Sequence, residues 1–142
     1  AYDSKTVFGN AVSTTKKLLQ ESLKIAQKSH IPSKKIVLDP AIGFFRKSGQ
    51  GPFFTKIKSD WVERDLSIIK NLNSIKQNFP ILISVSNKSF LGNVLGKKNP
   101  HDRLFGSIAA EAISVINGAD IIRTHNVEAT KDAITIALKL SK

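Results

Sequence analysis

Apolar residues recur along this chain in two rhythms, helical spacing and short unbroken runs. In residues 10–29, Val12, Leu19, Leu23 and Ala26 share one face while lysines and glutamines fill the other, which predicts an amphipathic helix closed by Pro32. The run "IVL" at 36–38 predicts a short strand halted by Pro40. Asp60 with Glu63 three positions later has the spacing of a capping box, and Val62, Leu66, Ile69 and Leu72 supply the buried face of the helix that follows. Residues 81–85, "ILISV", predict a second strand. Asn99 and Pro100 predict the N-cap and first turn of a third helix, whose stripe is Leu104, Phe105, Ile108, Ala112, Val115 and Ile116. Gly118 ends that helix, residues 120–124 predict a third strand, and Ala129, Ala133, Ile136, Ala137 and Leu140 predict a last helix. Residues 45–59, with Gly49, Gly51 and Pro52 among lysines, read as a mobile loop.

Strands alternating with helices of this length imply right-handed crossovers and a parallel sheet buried on both faces, which accounts for the continuous apolar runs. A doubly wound fold usually has about five or six strands and a glycine-rich phosphate loop, and this chain shows neither. The expected fold class is therefore α/β, with parallel β/α units forming about half of a TIM (β/α)8 barrel, whose whole length is about 250 residues.

Composition narrows the chemistry. The 142 residues are 41% hydrophobic, enough for one compact domain or a large piece of one. No apolar run approaches the roughly 20 residues that cross a bilayer, and the start "AYDSKTVFGN" lacks the pattern of a signal peptide, so a soluble, cytoplasmic protein is expected. The absence of cysteine excludes disulfides and thiolate metal sites. There is no methionine and the chain opens on Ala1, which permits a longer polypeptide beginning upstream. With 22 basic against 11 acidic side chains the formal charge is +11, which favours anionic partners. A nucleic-acid-binding module is the alternative from a different class. Against it, aromatics are few and the basic residues that stand out sit singly at strand ends, not along one face.

Those strand ends carry the chemistry. Asp39 follows the first predicted strand, Ser86, Lys88 and Ser89 follow the second, and Arg123 and His125 close the third. In open parallel sheets and in barrels the C-terminal strand ends face the ligand, because successive βα loops converge there. Each residue also has a plainer role open to it: Asp39 before Pro40 can start a turn, Lys88 can be a solvated loop lysine, and Arg123 can pair with Asp120 or Glu128. Two apart on a strand, Arg123 and His125 would share a face and could hold one anion. Together the set suits a phosphate or diphosphate beside a flat polar ring, with Arg123, His125 and Lys88 stabilising a leaving oxygen and Asp39 accepting from ring N–H groups. His30 and His101 have no partner nearby in sequence, and no recognised zinc spacing is present.

"LDPAIGF", "SVSNKSFLG" and "RLFGSIAAEAISVINGADIIRTHNVEATKDA" resemble, in order and spacing, the C-terminal half of dihydropteroate synthase, a TIM barrel of the pterin-binding group. The resemblance makes residues 1–142 the C-terminal half of a pterin-binding barrel whose N-terminal half is not in this chain. It implies condensation of 6-hydroxymethyl-7,8-dihydropterin diphosphate with para-aminobenzoate or a related aryl amine, with release of pyrophosphate. It further implies that Asp39 and Lys88 bind the pterin, that Arg123 and His125 bind the diphosphate, and that Ser86, Asn87, Ser89 and Phe44 lie at the aryl-amine end, with Lys88, Arg123 and His125 catalytic. Magnesium is the implied cofactor, with its ligand in the missing half. The family usually carries arginine where Asn87 stands and glycine where Ala41 stands, and its 45–59 segment is shorter. A related pterin-binding methyltransferase is the alternative within enzymes. A half-barrel alone is expected to be inactive and to associate with its N-terminal half or with a second copy of itself.

Overall fold

The computed structural model of the chain describes residues 10–46, 55–57 and 59–141. Helix α1, Ala11–Lys28, begins where the Asn10 side chain accepts the Val12 and Ser13 N–H groups. It buries Leu18, Leu19 and Leu23 and leaves Val12 and Ala26 half-buried, as its spacing predicts. The first predicted strand shortens to a parallel bridge between Leu38 and Ile81. Strand β3, Leu82–Ile83, pairs in parallel with β4, Ile121–Ile122. The parallel order predicted for the three runs therefore holds, in strands shorter than their apolar runs.

The segment 45–59 departs from expectation. Within it β1, Phe45–Arg46, and β2, Thr55–Lys56, form a parallel pair, and the Ile57 N–H donates to the Arg46 carbonyl at 2.9 Å. Residues 47–54 and 58 of that segment lie outside the described residues.

Asp60 caps α2, Trp61–Lys70, by accepting the Val62 and Glu63 N–H groups. Only half of the predicted capping box forms, because Glu63 Oε1 accepts instead from the Ser67 hydroxyl at 3.1 Å. The face predicted from Val62, Leu66, Ile69 and Leu72 is rotated. Ile68, Ile69, Arg64 and Asp65 are buried, Val62 and Leu66 are half-buried, and Leu72 opens a separate short helix α3, Leu72–Ile75. The core collects α1, α2 and α3 around Ile81, Ile83 and Val85, each fully buried. Burial of each such side chain contributes about 1.5–3 kcal/mol.

After β3 comes a helix with no counterpart in the sequence reading, α4, Ser89–Leu95, closed by Gly96 in the left-handed region. Its seven residues are too few for a clear helical rhythm. Asn99 caps a 3-10 turn, Pro100–Arg103, which leads into α5, Leu104–Ile116, and Asn117 and Gly118 close α5. The predicted stripe of α5 is only partly inward: Leu104, Ile108, Ala112 and Val115 are half-buried and Phe105 and Ile116 are exposed, while Ser107, Glu111 and Ser114 are fully buried. The last helix, α6, Val127–Leu140, repeats this. Its one buried residue is Thr130, and Ile136 and Leu140 lie 61% and 82% exposed. The physical reason is that α5 turns its polar edge inward to make hydrogen bonds. Ser107 accepts the Asn87 N–H at 2.9 Å, and Glu111 Oε2 accepts from Thr130 Oγ1 at 2.6 Å, tying α6 to α5. Phe105, Ile113 and Ile116 of α5 and Ile136, Leu138 and Leu140 of α6 are left exposed. At the sheet, Asp120 accepts from Lys76 at 2.8 Å and from the Ile81 N–H at 2.9 Å, and these bonds hold its carboxyl below the ordinary carboxylate range.

Candidate functional site

The β3–β4 register places Ile83 opposite Ile122, so Ser84 stands beside Arg123 and Ser86 beside His125. Arg123 Nη1 lies 3.5 Å from Ser84 Oγ, and the His125 N–H reaches Ser86 Oγ at 3.4 Å. Ser86 is buried, whereas Arg123 and His125 are exposed. The two strands thus present a basic pair on a serine floor. Sequence reasoning missed Ser84, although its place two residues before Ser86 on a strand was the available signal.

Asp39 Oδ1 accepts the Ala41 N–H at 2.8 Å and builds a turn, as its plainer role requires. The other carboxylate oxygen remains for a ligand, so the turn and a binding role are compatible. Ala41 and Gly43 both have positive φ, 57° and 83°, and they bend the loop back toward Lys88. A Cβ at Gly43 would stand 2.8 Å from Lys88 Cδ, so glycine is what lets the lysine stem pass against this backbone. The Lys88 ammonium then lies over the exposed Phe44 ring, 4.4 Å from its centroid. Burial lowers the Lys88 pKa. Asp39 and Asp65 pull it upward, while Arg46 and Arg123 push it further down. Lys88 is thus within electrostatic reach of Asp39 and Arg123, two of the strand-end candidates.

The loop that carries Asp39 is gripped from beneath by two residues that sequence reasoning did not single out. Arg64 donates to the Pro40 carbonyl at 3.1 Å, to the Ala41 carbonyl at 3.4 Å and to Asp65 at 2.8 Å, and its guanidinium stacks on Phe45. Asp65, fully buried, accepts the Gly43 N–H at 3.0 Å. Burial pushes Asp65 up and Arg64 down from their ordinary pKa values, against the attraction between them. The signal for Asp65 was present, since it sits three and four residues before Ile68 and Ile69 on the buried face of α2.

Asn87 has φ 58°, a conformation asparagine adopts more readily than most residues. Its N–H donates to Ser107 Oγ, its carbonyl accepts from Arg103 Nη1 at 2.9 Å, and its Oδ1 lies 3.4 Å from the same serine hydroxyl. Its polar groups thus fix the strand-end turn onto α5. Ser89, exposed, accepts from Arg46 Nη2 at 2.5 Å. The site is an open wall of exposed and half-buried groups. A separate groove of about 620 Å³ runs between α1 and α2, and no strand-end candidate lines it.

The model of a family described as pterin binding enzyme matches residues 3–125. Dihydropteroate synthase of Neisseria meningitidis serogroup B is 35% identical over 108 residues, 75% of this chain and 34% of that protein. The Synechocystis dihydropteroate synthase is 27% identical over 133 residues, 93% of this chain and 41% of that protein. Among solved structures, a dihydropteroate synthase from Coxiella burnetii in complex with pteroic acid aligns with a TM-score of 0.75 at 38% identity, covering 92% of this chain and 45% of that one. The Burkholderia cenocepacia dihydropteroate synthase complexed with 7,8-dihydropteroate aligns with a TM-score of 0.78 at 26% identity, covering 94% and 45%. The chain spans less than half the length of these relatives, in keeping with parallel β/α units that make up about half of a barrel.

Proposed function

The chain belongs to the pterin-binding enzyme family, and from that premise we propose that it forms the C-terminal part of a dihydropteroate synthase-like transferase. In this reading it carries the diphosphate site and one wall of the pterin pocket. The observation that carries the proposal is the parallel β3–β4 register, which sets Arg123 beside Ser84 and His125 beside Ser86 at the strand ends. The substrates are 6-hydroxymethyl-7,8-dihydropterin diphosphate and an aryl amine such as para-aminobenzoate. Asp39 accepts from the pterin N–H groups, and Lys88 lies against the ring. Arg123 and His125 take the diphosphate, where a planar fork of donors and a second donor stabilise charge on the oxygen that leaves. The carbon–oxygen bond to diphosphate breaks first, leaving a pterin-methyl cation. The amine nitrogen then forms the new bond to that carbon and loses a proton.

Among the described residues, no three histidine or carboxylate groups converge as a metal site needs. We assign magnesium to the complementary half of the barrel, and no step of the reaction passes through it here.

The test is calorimetry of pyrophosphate and of pterin diphosphate, with this chain alone and with its complementary half. Arg123→Ala is expected to weaken pyrophosphate binding by about tenfold or more, the loss of one charge-assisted contact. Absence of pyrophosphate binding in both states, or an unchanged affinity in the variant, would overturn the proposal.

We also propose that the protein is cytoplasmic and that it works in association. No helix among the described residues is long and apolar enough to cross a membrane. The exposed apolar residues Phe105 and Ile113 of α5 and Ile136 and Leu140 of α6 favour association with a second copy, and the edge strand β4, where Ile121 is 40% exposed, favours pairing with the complementary half. Sedimentation is expected to show a species heavier than the monomer at micromolar concentration. A monodisperse, stable monomer would count against this.

A further inference from the structure

Exposure alternates along residues 121–126. Ile121, Arg123 and His125 are exposed, while Ile122, Thr124 and Asn126 are half-buried. The ladder holds the chain as far as the Arg123 N–H, which donates to the Ile83 carbonyl at 2.9 Å. Beyond that point the N–H groups are taken by side-chain hydroxyls. The His125 N–H reaches Ser86 Oγ at 3.4 Å, a long bond, and the Asn126 N–H donates to Thr124 Oγ1 at 3.1 Å. Thr124 Oγ1 in turn lies 3.0 Å from Thr130 Oγ1, which donates to Glu111 Oε2 at 2.6 Å.

Glu111 sets the direction of this chain. Thr130 has one hydroxyl hydrogen and gives it to Glu111, so toward Thr124 it can only accept. Thr124 then donates to Thr130 and accepts the Asn126 N–H. Every link points toward Glu111, and hydrogen bonds aligned in one direction polarise and strengthen one another. The chain closes around His125. Thr124 and Asn126 flank it in sequence, and the Asn126 carbonyl also accepts the Thr130 N–H at 3.0 Å, so both neighbours are tied to the helices behind the strand end.

Glu111 is costly where it stands. It is fully buried, Thr130 is the one hydrogen-bond donor to its side chain among the described residues, and Oε1 has no partner there. A buried carboxyl group with an oxygen left unpaired subtracts from stability. Its other oxygen anchors the turn that carries His125. We propose that Glu111, acting through Thr130 and Thr124, is a positioning residue for His125 at the diphosphate site. The assignment rests on the transferase reading above, which gives His125 the diphosphate.

The experiment uses the enzyme assembled from this chain and its complementary half, with calorimetry of pyrophosphate, steady-state rates and thermal denaturation. Glu111→Met combined with Thr130→Val removes the buried acceptor and its donor together. The double variant is expected to melt at or above the wild-type temperature, because both polar partners give way to apolar groups. It should nevertheless bind pyrophosphate more weakly by about fivefold, the worth of one hydrogen bond. The KM of pterin diphosphate should rise with the KM of para-aminobenzoate unchanged. Glu111→Gln, which still offers an oxygen to Thr130, should retain most of the affinity. In a His125→Ala background the double substitution should weaken binding by less than about twofold further, since the side chain it positions is already gone. An unchanged affinity in the double variant, loss of its fold, an equal rise in both KM values, or a full further loss in the His125→Ala background would overturn the assignment while leaving the transferase reading intact. A wild-type enzyme that binds no pyrophosphate would overturn that reading and the assignment with it.

Discussion

Replacing Asp65 with alanine is expected to lower the free energy of unfolding by about 3–5 kcal/mol, because it strips the counter-ion from a buried arginine. Arg64 is 5% exposed and cannot swing into water without abandoning the Pro40 and Ala41 carbonyls. The same change removes the acceptor of the Gly43 N–H, a buried donor in a loop already bent through two positive-φ residues. The intact pair is itself a weak source of stability. Burial raises Asp65 and lowers Arg64, so both charges are kept at a desolvation cost that their attraction only partly offsets. A carboxyl whose folded pKa lies above its unfolded value contributes most below about pH 4, and that contribution declines as pH rises through the folded pKa. Breaking the pair therefore costs far more than the pair supplies. Asp65→Asn, which keeps an acceptor for Gly43 but loses the charge, should fall between wild type and alanine. Adding Arg64→Met to Asp65→Ala should recover part of the loss by removing the stranded cation. Urea denaturation of the four proteins measures this. A loss under about 1 kcal/mol for Asp65→Ala would show that Arg64 finds another counter-ion or water.

Gly92→Ala is expected to cost about 3 kcal/mol, although alanine is the better helix former. Propensity favours the substitution by about 1 kcal/mol in a helix interior. Against it, a Cβ at this point of α4 would stand 2.5 Å from both the Lys97 carbonyl oxygen and Arg103 Nε. Arg103 cannot yield, since it is buried and donates to the carbonyls of Asn87, Lys97 and Lys98 at 2.9, 3.1 and 2.5 Å. Overpacking of this kind costs about 1–3 kcal/mol, and each buried carbonyl left unpaired adds a similar amount. The disturbance also reaches the candidate site, because Asn87 lies between Ser86 and Lys88 and is held in its positive-φ turn by Arg103 and Ser107. Thermal denaturation reads the first effect and pyrophosphate binding the second. A variant as stable as wild type would mean that α4 shifts to admit the methyl group.

Much of the architecture was legible in the sequence. The alternation of helical spacing with apolar runs predicts parallel β/α units, and β3 and β4 pair in parallel. The N-caps at Asn10, Asp60 and Asn99 are local signals, since the side chain bonds to N–H groups two or three residues on. The position of Asp39, Lys88, Arg123 and His125 beyond the ends of the parallel runs was legible for a similar reason. A strand's end is marked in sequence, and parallel order puts successive ends on one edge.

The tertiary structure alone decided the rest. Spacing shows that α5 and α6 carry apolar stripes, but whether a stripe is buried depends on the neighbour it meets. Here Ser107 and Glu111 find partners inside, and Phe105 and Ile136 are left outside. The grip of Asp65 on Gly43 spans 22 positions and that of Arg46 on Ser89 spans 43, and no local periodicity encodes a meeting between two loops. Periodicity and capping arise within one element, so the sequence by itself determines the elements and the polar residues at their ends. Which face turns inward, and which distant side chain completes the wall around Lys88, is set only when all the elements pack at once.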